Sequence, residues 1–311
     1  MNLLTDIVRL NWPDNINEVT NIRQVKVSDW LKNGDFEIRS QITDSDKYSL
    51  FNYTKSFLST NAYEIEKMAC ACIETLISIE HKKISKRSLA WIIIKLYYAA
   101  FYAAHALMRS MGYLCIHIDN EAAGAIEKNS HTYYPHSKRP KAGYYLIHYN
   151  SSDDEIIFDR ASNNKGSHHF MWSCLINLID KLLAQLAAKS TVYQPYMLSL
   201  STLRDIMCLR GNTSGNWLSV IRNDVTYKHE LGVWYPNKKL KKKLELKILK
   251  DIDLSKNLVD IDLTVSHKEE LLSFVNAVNY LNKLMIDVSD DLINRNSEKK
   301  SFLKKNYLRI M

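Results

Sequence analysis

Glycine and proline are scarce in this chain, eight and five among 311 residues. A β-sandwich or barrel needs turn residues roughly every 8–12 positions, so a many-stranded all-β fold is excluded and a mainly α fold is expected. Cysteine is also sparse. The five, at positions 70, 72, 115, 174 and 208, are odd in number and hold no CxxC pair, which speaks against a disulfide framework or a zinc knuckle and for reduced thiols in the cytoplasm. No clean apolar run of membrane-crossing length is present either: the longest, Leu89 to Leu107, is broken by Lys95 and His105 and followed by Arg109,. Met1-Asn2-Leu3-Leu4-Thr5-Asp6 has no basic start or apolar middle of a signal peptide,. No membrane partner is expected.

What is present is an ordinary globular balance, 46 % apolar and 24 % charged, with a net charge of +8 and an isoelectric point near 9.0. That charge suits a polyanionic partner. Residues 1–44 hold scattered Trp12 and Trp30 and one alternating run, Phe36-Glu37-Ile38-Arg39, so an irregular segment with one strand is expected there. From about Asp46 to His81, Ile65, Met68, Ala69, Cys72, Ile73, Leu76 and Ile77 recur at helical spacing,. A second helix, capped near Ser85 and stopped by Gly112, is apolar nearly all round and belongs at the centre of a bundle,. Residues 113–165 read as an insertion with a short helix near Glu121 to Lys128 and two extended runs, Tyr144–Ile147 and Glu155–Phe158,. Further helices are expected from Ser167 to about Ala188, Pro195 to Arg210, Asn216 to His229, and His267 to Ile293, with a lysine-rich segment at 237–250 and a basic, fraying tail at 294–311,.

Chemistry concentrates in Asn216 to His229, where Leu218, Ile221 and Val225 form an apolar stripe. Seven residues turn an α-helix by about 700°, so Arg222 and His229 are expected on one face, about two turns apart. Near a helix end set by Gly232, the dipole favours a protonated His229. Cleaving RNA without a metal requires a base for the 2′-hydroxyl, a cation for the charged transition state and an acid for the departing 5′-oxygen, and Arg and His can supply these. Asn223 is placed to orient a phosphate, whereas Asp224 would repel one unless turned toward His229 or Lys228.

Ile221-Arg222-Asn223-Asp224-Val225-Thr226-Tyr227-Lys228-His229 resembles the motif of the HEPN superfamily, an Arg, a polar residue, a short spacer and a His near the end of a core helix. The spacer here is six residues. Leu96-Tyr97-Tyr98-Ala99-Ala100-Phe101-Tyr102-Ala103-Ala104-His105-Ala106-Leu107 with Gly112 looks like the early helix of many such domains, and Ser167-His168-His169-Phe170-Met171-Trp172 like a helix start in some prokaryotic members. The resemblance implies a HEPN-like helical bundle over 45–293, interrupted at 113–165. It implies a metal-independent endoribonuclease of toxin or phage-defence type, leaving 2′,3′-cyclic phosphate and 5′-hydroxyl ends, with Arg222, His229 and Asn223 catalytic. A homodimer with a composite cleft, an inhibitory or activating protein partner and no cofactor are implied with it. The alternative is a catalytically silent module of the same fold that binds RNA, a nucleotide or a protein. Members silenced by AMP transfer carry a Tyr two residues after the His; here that residue is Leu231, and that regulation is not carried over.

Lys228 and Arg210, with Lys238, Lys239, Lys241 and Lys242, are candidate phosphate contacts. Arg210 reads equally as a helix-end cation, and the lysines as a solvated face. Glu245-Leu246-Lys247 matches an E-x-K nuclease element, but that element needs a strand and an upstream Asp. His131, His136, His168 and His169 lack metal-ligand spacing, and no metal is expected. Lys95 and His105 must find partners if buried, and Tyr97, Tyr98 and Tyr102 read as core aromatics.

Overall fold

A computed structural model of the chain describes residues 3–52, 56–79, 88–162, 166–235, 239–252, 255–263, 265 and 269–311. Ser85, expected as a helix cap, and Lys238 lie outside them. The fold is mainly α with one small sheet. Two short helices, α1 (Leu3–Arg9) and α2 (Val27–Lys32), precede strand β1 (Lys47–Phe51) and the long helices α3 (Ser56–Ile77) and α4 (Leu89–Ser110). The central segment runs β2 (Tyr113–Ile118), α5 (Asn120–Tyr133), β3 (Gly143–Asn150) and β4 (Glu155–Arg160). Then follow α6 (Ser167–Ala187), α7 (Gln194–Met207), α8 (Trp217–Thr226), α9 (Lys242–Asp251), α10 (Glu270–Asn294) and α11 (Tyr307–Ile310).

Helix α4 is central because almost every face of it is apolar. The Ser88 hydroxyl caps it by accepting the Ala90 N–H, and it ends as Gly112 takes φ +76°, a backbone state glycine adopts without strain. Ala99, Ala100, Ala103 and Ala104 are fully buried, and α3, α8 and α10 pack around it. Both α4 and α6 are long and apolar enough to cross a membrane, but within their apolar windows 72 % and 50 % of residues are buried inside the protein. Those apolar faces are spent on the core.

The sheet has the antiparallel order β1-β4-β3-β2. Its register sets Leu114 opposite Ile147 and Ile147 opposite Phe158. Side chains alternate across a sheet, so Leu50, Leu114, Tyr145, Ile147, Ile156 and Phe158 share one face, where Trp30 and Leu31 of α2 and Ala122 and Ile126 of α5 complete a second core.

Three expectations need correction. The helix read from Asp46 begins only at Ser56, because residues 47–51 pair with β4, a partner more than a hundred residues away that no local pattern reveals. The N-terminal segment forms α1 and α2, while Phe36–Arg39 contributes a single bridge, Glu37 to Phe51. The tail beyond residue 294 is docked, not frayed: Leu303 and Tyr307 are fully buried, and the Asn306 amide donates to the Glu66 carboxylate at 3.2 Å.

Candidate active site

Helix α8 is seated by its apolar stripe, Trp217, Leu218, Ile221 and Val225, all fully buried. Just before it Gly215 takes φ +72°, and a Cβ there would collide with Cγ1 of Ile176 on α6. Only glycine lets the two helices approach so closely.

The far end differs from the expectation. α8 stops at Thr226, so His229 is not on the helix and the shared-face geometry with Arg222 does not hold. His229 has φ +54°, Leu231 +66° and Gly232 +62°, a left-handed turn stabilised from outside. The Trp234 indole Nε1 donates to the Val225 carbonyl at 2.6 Å, satisfying one of the carbonyls a helix end leaves open. Ser88 donates to the Val233 carbonyl at 2.6 Å, tying this turn to the start of α4.

Arg222 lies against the flank of α4. It is 7 % exposed, and its guanidinium carbon lies 5.0 Å from the Tyr97 ring centroid and 5.9 Å from those of Tyr98 and Tyr227. Cation–π attraction of this kind is worth about 0.5–2 kcal/mol per ring and offsets part of the desolvation. Hydrogen bonding does not complete the offset. Nη1 reaches the Tyr227 hydroxyl only at 3.5 Å, and Nε is buried without a partner among the described residues. A buried cation with spare donors is set to take an anion.

His229 is exposed and stacks on the Trp234 ring, centroids 5.2 Å apart with an interplanar angle of 21°. Trp234 in turn meets Trp91 edge-on at 5.5 Å. Trp91 and Tyr98 are seven residues apart on α4, about 10 Å along its axis. Arg222 meets Tyr98, and His229 joins Trp91 through Trp234, so the two motif residues neighbour different turns of one side of α4. Asn223 is half-buried beside them, its carbonyl accepting the Tyr227 N–H at 2.9 Å.

Asp224 is fully buried and does not face His229. Its carboxylate accepts Lys228 Nζ at 2.7 Å and Arg210 Nη1 at 2.6 Å, and Arg210 also clamps Glu270. Burial alone would push the Asp224 carboxyl up, but the hydrogen bonds from Lys228 and Arg210 outweigh it and hold it below the usual range. Arg210 and Lys228, expected on phosphates, are thus ion-paired within the fold. Lys239, Lys241 and Lys242 are exposed around the start of α9. Glu245-Leu246-Lys247 also lies on α9, so the strand that an E-x-K element needs is not there.

Sequence reasoning missed the residues that build the floor. The Tyr97 hydroxyl lies 2.8 Å from Nδ1 of His168, 2.8 Å from Oγ of Ser219 and 3.1 Å from Nε1 of Trp172. Trp172 donates to the phenol oxygen, and the phenol hydrogen goes to Nδ1 of His168 or to Oγ of Ser219 according to the imidazole tautomer. Burial, followed by the charge of Arg222, pushes His168 down to about 4 and keeps it neutral. Two to three turns further along α4, Arg109 donates to Nδ1 of His105 at 2.7 Å and faces Glu64 at 3.6 Å. His105 thereby finds its partner, as Lys95 does on the Ser78 carbonyl at 2.8 Å. The visible signal was the spacing Tyr98, Phe101, His105, Arg109 on an otherwise apolar helix; that His168 and Ser219 converge on it was not visible. Scans against protein-family models, curated proteins and solved structures find no match to this chain.

Proposed function

We propose that the protein is a HEPN-like, metal-independent endoribonuclease of toxin or phage-defence type acting in the cytoplasm. The observation that carries this reading is the buried Arg222 guanidinium, whose Nε has no partner among the described residues, on the same motif as an exposed His229. In this reading Arg222 binds the scissile phosphate and stabilises the charge that builds on it. His229 moves the proton: the 2′-oxygen attacks phosphorus, the bond from phosphorus to the 5′-oxygen breaks, and the products are a 2′,3′-cyclic phosphate and a 5′-hydroxyl. Asn223 steadies the phosphate by hydrogen bonding. Arg222 and His229 neighbour different turns of α4, and in this reading a second copy of the chain completes the reaction centre, as in HEPN dimers. Lys239, Lys241 and Lys242 extend the basic surface for the RNA backbone.

The end of α8 at Thr226, which leaves His229 off the helix that carries Arg222, also favours a second reading, a binding module in which Arg222 holds an anion and no bond is cut. Cleavage of a mixed RNA pool in EDTA, with end-group analysis, separates the two. The endonuclease reading expects cyclic phosphates from the wild type and none from Arg222→Met or His229→Asn. Equal cutting by all three overturns the site, and wild-type binding without cutting selects the module.

A further inference from the structure

Trp91 is 59 % exposed and Tyr227 72 %. Two large aromatics on one surface are costly to leave in water unless something covers them. They flank the Arg222 pocket: Tyr227 reaches that guanidinium, and Trp91 stands about two turns of α4 from Tyr98, the pocket's wall. Trp91 is also braced. Trp234 meets it edge-on and is itself fixed through its bond to the Val225 carbonyl, while His229 covers Trp234. A rigid ring gives up little conformational entropy when a ligand stacks on it. Lys239 is exposed on this turn and donates its N–H to the Gly232 carbonyl; Lys228 is already paired with Asp224, and Glu230 is the opposing charge.

Exposed aromatics interleaved with cations suit a single-stranded nucleic acid, whose bases offer free π-faces, and not a duplex, whose bases are already stacked. We propose that Trp91, backed by Trp234, is a stacking platform for one unpaired base of the strand whose phosphate lies on Arg222, so that the site selects unpaired RNA. The proposal rests on the reading of the Arg222 pocket as a phosphate site. Tyr227 is the second ring along the same path.

The test uses the full chain and a short 2′-O-methyl oligonucleotide without self-complementarity, which cannot be cut, beside the blunt duplex of the same strand. Trp91→Ala lowers affinity for the single strand about 5- to 100-fold and leaves duplex affinity within about twofold, and Trp91→Phe regains most of the loss. Unchanged single-strand affinity, or an equal loss on both probes, overturns the platform. A drop in solution mass of Trp91→Ala also overturns it, since Trp91 would then be covered by a second copy. If Arg222→Met and His229→Asn still cut RNA while Trp91→Ala shows the selective loss, the catalytic reading fails and the platform stands. If they abolish cutting and Trp91→Ala binds as wild type, the platform alone fails.

Discussion

Helix α8 buries two opposite charges two residues apart, and the protein treats them differently. Asp224 is fully buried with both carboxylate oxygens engaged, one by Lys228 and one by Arg210. Arg222 is nearly as buried, but aromatic rings stand where hydrogen-bond acceptors would be. A buried charge with all its partners holds a fold in one arrangement, whereas one left short of partners is a cost that function has to justify. Asp224 thus belongs to the scaffold, and the proposed chemistry falls to Arg222.

The largest effect expected from this contrast is on cleavage. His229→Asn keeps a residue that tolerates φ +54°, but cannot carry the proton, so single-turnover cleavage should fall about 10²–10⁴-fold with the unfolding midpoint almost unmoved. Asp224→Ala should do the reverse. Removing the buried carboxylate leaves Arg210 with Glu270 alone and Lys228 facing solvent, so stability should fall by about 1–3 kcal/mol, read by denaturant unfolding, with cleavage per folded molecule changed far less.

A smaller effect lies in pH. His168 is held near 4 by burial and then by Arg222, and His105 well below its usual value by burial and then by Arg109. Unfolded histidine titrates near 6.5, so between about 6.5 and 4 the unfolded chain binds more protons than the folded one. Stability is therefore full above about 6.5 and lost as pH falls through that window. Thermal midpoints across it should drop, and less steeply in His168→Asn. In Arg222→Met, NMR titration should find His168 above 4 yet still below 6.5, since burial remains. The smallest effect is electrostatic: Lys241→Ala and Lys242→Ala should each reduce the salt dependence of RNA binding by about one unit of slope and leave stability within about 0.5 kcal/mol.

The same contrast explains how far the sequence could be read. Helices α4, α6, α7 and α10 follow from apolar periodicity, because their burial is written into neighbouring residues. The end of α8 was misplaced because Tyr227 and Lys228 continue a helical pattern and Gly232 looked like the stop, while the actual end is completed by Trp234. Strand β1 was missed for a similar reason, its partner being β4. Arg222, His229 and Asn223 stood out as a local motif. Tyr97, His168 and Ser219 meet only through the packing of α4, α6 and α8, and Arg210 and Lys228, which read in sequence as phosphate contacts, are held by Asp224 between them.

The most direct test of the account is Arg222→Met, which removes the charge and keeps an apolar chain in the aromatic pocket, with cleavage and unfolding measured on the same preparation. The account predicts cleavage lowered at least about 10²-fold and a fold as stable as the wild type or more so. A variant that cuts RNA normally, or that unfolds as readily as Asp224→Ala, would make Arg222 a structural cation and contradict it.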